Sequence, residues 1–265
     1  MIRFAAITPH PTMIIPSIGR SNLNLARKTV NAMKQIGEKF RAVKADTIVI
    51  ISPHGPVQYD KFMVNYSPTL RGGLGSFGDQ RRFIFENDRE LVDEIVKLSR
   101  ESHLPVGLVR ELELDRGALV PLHYLISEKD AAYNPRLIHM SFSMLPLDYH
   151  LRFGEILGKV LQSSSKVISL VASSDLSHRV SQGAPAGYSP QGRIFDRKIV
   201  EIVQRKNIKG LLEIDPALIE EAGECGLRSI TMLLGAMSGL RWEVKSLSYE
   251  APFGVGYLAA NINIK

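Results

Sequence analysis

Thr47-Ile48-Val49-Ile50-Ile51-Ser52-Pro53-His54-Gly55-Pro56 begins with five β-branched residues in a row and shows no alternation of apolar with polar. A strand with one wet face would alternate, so the run predicts a strand covered on both faces, as in the middle of a parallel sheet. Val167 to Val171 has the same character, and Phe4 to Ile7, Lys61 to Tyr66, Val106 to Val109 and Leu137 to Phe142 supply further short apolar runs. Helical spacing fills the intervals. Ser21 is placed to cap a helix with Leu23, Ala26, Val30, Met33, Ile36 and Phe40 on one face. Asn87-Asp88-Arg89-Glu90 reads as the start of another, with Leu91, Ile95 and Leu98 inward. Ala118 to Ile126, Leu151 to Leu161, Gln191 to Arg205 and Cys225 to Met237 read as helices, while Trp242 to Tyr249 and Gly256 to Ile264 alternate as strands do. The Gly-rich Ser67 to Gln80 reads as a loop. Strands alternating with helices predict an α/β fold: one domain over residues 1–265, its central, mostly parallel sheet flanked by helices on both faces.

Composition narrows the function. Of 265 residues, 45% are hydrophobic and 23% charged, values of an ordinary globular chain rather than a disordered or fibrous one. The net charge of +6 is spread among acidic neighbours with no basic run interleaved with aromatics, so no nucleic-acid partner is expected. The longest apolar stretch, Ile230 to Leu240, is too short to cross a bilayer, and the N-terminal residues lack a secretory pattern. With a single cysteine, Cys225, no internal disulfide forms, and the expectation is a cytoplasmic protein without membrane contact.

In open α/β sheets ligands gather beyond the carboxyl ends of the strands. Here those ends carry His10 (Thr8-Pro9-His10-Pro11), His54, His178 (Ser173-Ser174-Asp175-Leu176-Ser177-His178) and Glu250 (Tyr249-Glu250-Ala251-Pro252). Two neutral imidazoles and a carboxylate form the facial triad that holds Fe(II) with open positions for substrate and oxygen. Neither HExxH nor CxxC spacing occurs, so a zinc protease or zinc ribbon has no support.

Together with Asp115-Arg116-Gly117-Ala118-Leu119-Val120-Pro121-Leu122 and Tyr249-Glu250-Ala251-Pro252-Phe253-Gly254-Val255-Gly256-Tyr257, these segments resemble the class III extradiol ring-cleavage dioxygenases of the LigB type. They are most similar to the branch found in AmmeMemoRadiSam system proteins and Memo, whose pattern Ala222-Gly223-Glu224-Cys225-Gly226-Leu227-Arg228 also resembles. The resemblance implies His10, His54 and Glu250 as metal ligands, Fe(II) first with Zn or another divalent ion as the alternative. It implies His178 as the acid/base histidine, O₂ and a small catechol-type aromatic as substrates in aromatic catabolism, and assembly as a homo-oligomer or with a second subunit. The other function such a scaffold implies is a Memo-like metal- or ligand-binding module without ring cleavage. Arg116 stands where the family has histidine. Arginine is no base near neutrality but pairs with carboxylates and phosphates, which also admits a hydrolase of anionic substrates. His123, about two turns further along the same helix, is the candidate substitute or supporting residue. Asp175 is expected to orient a site histidine. Cys225 reads as a packing residue, Glu224 as a cap or site residue, and His103, His139 and His150 as ordinary.

Overall fold

The computed structural model describes residues 1–127 and 133–265. Its strands are β1 (Ile2–Thr8), β2 (Thr47–Ser52), β3 (Phe62–Asn65), β4 (Thr69–Gly73), β5 (Arg82–Glu86), β6 (Val106–Val109), β7 (Arg136–Ser141), β8 (Ile168–Ser173), β9 (Trp242–Glu250) and β10 (Tyr257–Ile264). Its helices are α1 (Pro16–Gly19), α2 (Arg27–Val43), α3 (Arg89–Glu101), α4 (Arg116–Leu125), α5 (Leu147–Ser163), α6 (Pro190–Arg205), α7 (Ile208–Leu212), α8 (Pro216–Ala222) and α9 (Leu227–Ala236).

Eight strands share one sheet in the order β6-β3-β7-β2-β8-β1-β10-β9. The central four, β7-β2-β8-β1, are mutually parallel. β3 runs antiparallel to β7, β10 antiparallel to β1, and β9 antiparallel to β10, so the sheet as a whole is mixed. All six residues of β2 are buried, as its unalternating sequence requires. Val49 and Ile51 enter a core with residues of α3, α5, α6 and α9, while Ile48 and Ile50 enter a second core with α2 and α4. Each such side chain contributes about 1.5–3 kcal/mol on burial.

Two sequence expectations shift. Within Ser67 to Gln80, β4 forms and pairs antiparallel with β5, placing Leu70, Phe83 and Phe85 in the α2/α4 core. The glycines there serve close approach: a Cβ on Gly72 would lie 2.9 Å from Cβ of Leu114. Ser21 falls in a 3₁₀ turn, and α2 begins only at Arg27, after Ala26, which has no side chain able to cap it. α7 and α8 are too short to show a helical period in sequence. Elsewhere the chemistry acts as expected: Asp88 accepts from Leu91 N at the start of α3.

α5 and α9 pack backbone to backbone through glycine. A Cβ on Gly154 would sit 2.2 Å from the Met232 carbonyl oxygen, and one on Gly158 would sit 2.4 Å from that of Ala236. This contact fixes the middle and end of α9, the helix that follows the loop carrying Cys225.

Candidate metal centre

β1 and β2 flank β8, and the chain leaves each of the two through a proline: Pro9-His10 after β1, Pro53-His54 after β2. The two imidazoles therefore converge over the end of β8. Their Nε2 atoms are 3.0 Å apart and the rings meet edge to face, centroids 4.8 Å apart. Ser173 Oγ, from the last residue of β8, pairs with Nδ1 of His10 at 2.9 Å, which leaves Nε2 for the cluster. Asp175 Oδ1 accepts from the backbone N–H of His10 at 2.9 Å, and its Oδ2 lies 3.4 Å from His10 Nε2.

The third side chain at this point is Cys225. Its Sγ lies 3.6 Å from His10 Nε2, and the donor atoms of His10, His54 and Cys225 all fall within 4.8 Å of one another. The loop reaches this position because residue 226 is glycine: a Cβ there would stand 2.2 Å from Ser174 Oγ and 2.6 Å from the Asp175 carbonyl oxygen. Glu224 accepts from Leu227 N and caps α9, so of its two candidate roles the structure gives it the cap. Cys225, read in sequence as a packing residue, is part-buried, with its Sγ against the His10 imidazole and near that of His54.

Glu250 goes elsewhere. β9 does end at the same edge of the sheet, yet Glu250 Oε1 accepts from both Thr29 N (2.6 Å) and Thr29 Oγ1 (2.7 Å). Thr29 is the third residue of α2, whose first turn has no cap of its own, so a carboxylate from a distant strand satisfies it and meets the positive end of the helix. The carboxylate expected as third ligand thus bonds the first turn of α2 in this structure, and a thiol stands beside the imidazoles. Glu250→Ala is expected to cost about 1 kcal/mol of stability, measured by urea unfolding, with the loss centred on α2.

His178 donates from Nδ1 to the Gly223 carbonyl (2.8 Å), which fixes its tautomer and leaves Nε2 as the basic nitrogen. It lies near enough for its charge to depress the pKa of His10 and His54. Arg116 Nη2 is 3.3 Å from His54 Nε2. The adjacent Asp115 is fully occupied: Oδ1 accepts from Ser52 Oγ, Gly117 N and Ala118 N, and Oδ2 pairs with His139 Nε2 at 2.9 Å. His139, read as ordinary in sequence, therefore anchors the start of α4, the helix that presents Arg116. His123 does not join the cluster. Its ring faces Asp79 at 3.9 Å and lines a separate cavity of about 520 Å³ with Lys34, Arg41 and Arg81.

Electrostatics prepare the donors. Burial, then the neighbouring His54 and Arg116, hold His10 well below the usual histidine range; burial and Arg116 bring His54 down to about 4. Burial, then the Arg116 charge, also lower His178. All three are neutral at pH 7. Burial pushes Asp175 up to about 7 and, with the Asp175 and Glu224 charges, raises the Cys225 thiol well above its ordinary value. Hydrogen bonds from His139, Ser52 and Gly117 overcome burial at Asp115 and keep it ionised far into acid.

Two adjacent Nε2 atoms on neutral imidazoles, beside a thiol, fit a divalent first-row ion. Thiolate and imidazole together favour Zn or Cu more than the hard carboxylate set does, while remaining open to Fe. Because the imidazoles are already neutral and the thiol is not ionised, uptake of Zn(II) at pH 7 is expected to release at least about one proton. The sign follows: affinity rises with pH across neutrality. Calorimetry in buffers of different ionisation enthalpy measures the release.

A protein of Clostridium acetobutylicum, CA_C1420, is 29% identical over 261 residues; the match takes in 95% of this chain, which spans about half (55%) of that relative's length. The 3,4-dihydroxyphenylacetate 2,3-dioxygenase of Escherichia coli is 23% identical over 270 residues, 94% of each chain. Among solved structures, the JW3007 protein of Escherichia coli K12 superposes with a TM-score of 0.68 at 16% identity, over 98% of this chain and 99% of that one, a likeness of fold. Residues 4–260 match the family model described as the catalytic LigB subunit of aromatic ring-opening dioxygenase, so the chain, with its paired histidines at parallel strand ends, belongs to the LigB family.

Proposed function

We propose that the chain is a metal-dependent, dioxygenase-like oxidoreductase that opens a catechol-type ring with O₂. The observation that carries this reading is the combination of two neutral imidazoles with converging Nε2 atoms and a third histidine whose Nε2 is kept basic. His10, His54 and Cys225 would hold the ion, with Fe(II) the ion that ring opening calls for. When bound, the metal supplies a Lewis acid for the two ring oxygens and, if iron, electron density for O₂. The chain's own residues do the rest. His178 Nε2 accepts a proton from a ring hydroxyl and returns it after the ring opens. Ser173 holds the His10 ring in place, and Asp175 tethers its backbone. The E. coli relative, named for a dihydroxylated arylacetate, supports a catechol-type substrate.

A second reading has its own observation. Cys225 takes the place beside the imidazoles while Glu250 caps α2, an arrangement suited to a Memo-like module that binds metal and ligand without ring opening. Anaerobic loading with Fe(II), Zn(II) or Cu(II), metal analysis, and oxygen uptake with a panel of catechols separate the two. The enzyme reading expects catechol-dependent oxygen consumption with Fe(II), abolished in His178→Ala. Stoichiometric metal and catechol binding without oxygen consumption would instead establish the module.

A further inference from the structure

We infer that Arg116 is a specificity residue released by the metal: once His54 Nε2 is occupied, the guanidinium binds an acidic group on the molecule held at the metal. This deepens the function proposed above and rests on the same centre. Arg116 is exposed, and among the described residues it makes no ion pair within 4 Å; its one polar partner is His54 Nε2 at 3.3 Å. The obvious internal counter-ion, Asp115, is unavailable, because its two oxygens already serve Ser52, the first turn of α4 and His139. That same network fixes the helix start from which Arg116 projects.

The contact with His54 is exclusive. An imidazole nitrogen has one lone pair, so it serves either a guanidinium N–H or a metal ion. Loading the centre removes the one side-chain acceptor Arg116 has among the described residues and leaves a solvent-exposed cation at the mouth of the site. Arginine also lies at the first position of α4, where the helix's positive end disfavours a cation and favours an anion. A guanidinium so placed matches a planar carboxylate in bidentate geometry. Binding is then ordered: metal first, carboxylated ligand second.

The test compares wild type with Arg116→Gln and Arg116→Lys, each checked for unchanged thermal unfolding without metal. Chelator competition gives Zn(II) affinity, and calorimetry on the Zn(II)-loaded proteins gives binding of 3,4-dihydroxybenzoate, 4-methylcatechol and benzoate. Arg116→Gln is expected to bind Zn(II) about threefold or more tightly, because a competing cation is gone. It is expected to bind 3,4-dihydroxybenzoate about 10- to 100-fold more weakly, leave 4-methylcatechol unchanged, and fall below Arg116→Lys for the carboxylated ligand. Benzoate binding that depends on Arg116, with neither diol gaining from its hydroxyls, would uphold this inference while removing the catechol reading. Equal loss for 3,4-dihydroxybenzoate and 4-methylcatechol, or no loss for either, would overturn the inference while leaving the catechol reading in place. Failure of all three ligands to bind the loaded wild type would overturn both.

Discussion

Cys225→Ala is expected to lower the affinity of the protein for Zn(II) or Co(II) by about 100-fold or more, since it removes one of three donors and the only one that carries charge when bound. Cys225→Ser, which keeps the volume, should lose nearly as much. Glu250→Gln should change the affinity by less than about threefold, because the carboxylate is engaged by Thr29. Chelator competition measures all three. Loss of the thiolate-to-cobalt charge-transfer band in both Cys225 variants shows that sulfur was a ligand. The reverse pattern, with Glu250 decisive and Cys225 silent, would restore the carboxylate triad and require Glu250 to leave α2 on loading.

The largest effect on stability is expected at the α5–α9 contact. Gly158→Val places branched carbon against the Ala236 carbonyl, which a Cβ alone would approach to 2.4 Å, and a helix backbone cannot yield as a side-chain tip can. Overpacking typically costs about 1–3 kcal/mol, and the backbone on the far side puts this case at about 3 kcal/mol or above. Gly154→Ala, facing the Met232 carbonyl at 2.2 Å, should behave alike. Because α9 follows directly on the Cys225 loop, survivors that fold should also hold metal less tightly. Urea unfolding followed by circular dichroism gives the first quantity and chelator competition the second.

His10 and His54 were legible in sequence for a physical reason: each directly follows a strand whose burial is written in its residue types, and parallel strands deliver their ends to one edge. The same logic placed Glu250 at that edge but could not give the direction of its side chain. That direction depends on α2, where Ala26 leaves the first turn without a cap, a need visible only once the two segments are adjacent. Cys225 ends no strand. Its approach depends on Gly226, whose role is the space it leaves empty beside Ser174. His139 looked ordinary because Asp115, its partner, lies 24 positions away and joins it only across the sheet edge. In the fold, the two-faced strands and the long helices were readable from periodicity, whereas the β4–β5 hairpin was masked by glycines that permit close approach rather than a loop.

The three donors come from segments far apart in the chain, His10 and Cys225 being separated by 215 positions. A bound ion would therefore be a removable cross-link that closes two loops of the polypeptide, 10–54 and 54–225, with β8 lying between the two histidine-bearing strands. Opening the fold would break those loops, so unfolding and metal release would become one event, and the free metal concentration would enter the folding equilibrium directly. At 100 times the dissociation constant the gain is about 2.7 kcal/mol. Chelator would then act on this protein as a mild denaturant, felt first at β1, whose exit the ion would tie to the start of α9.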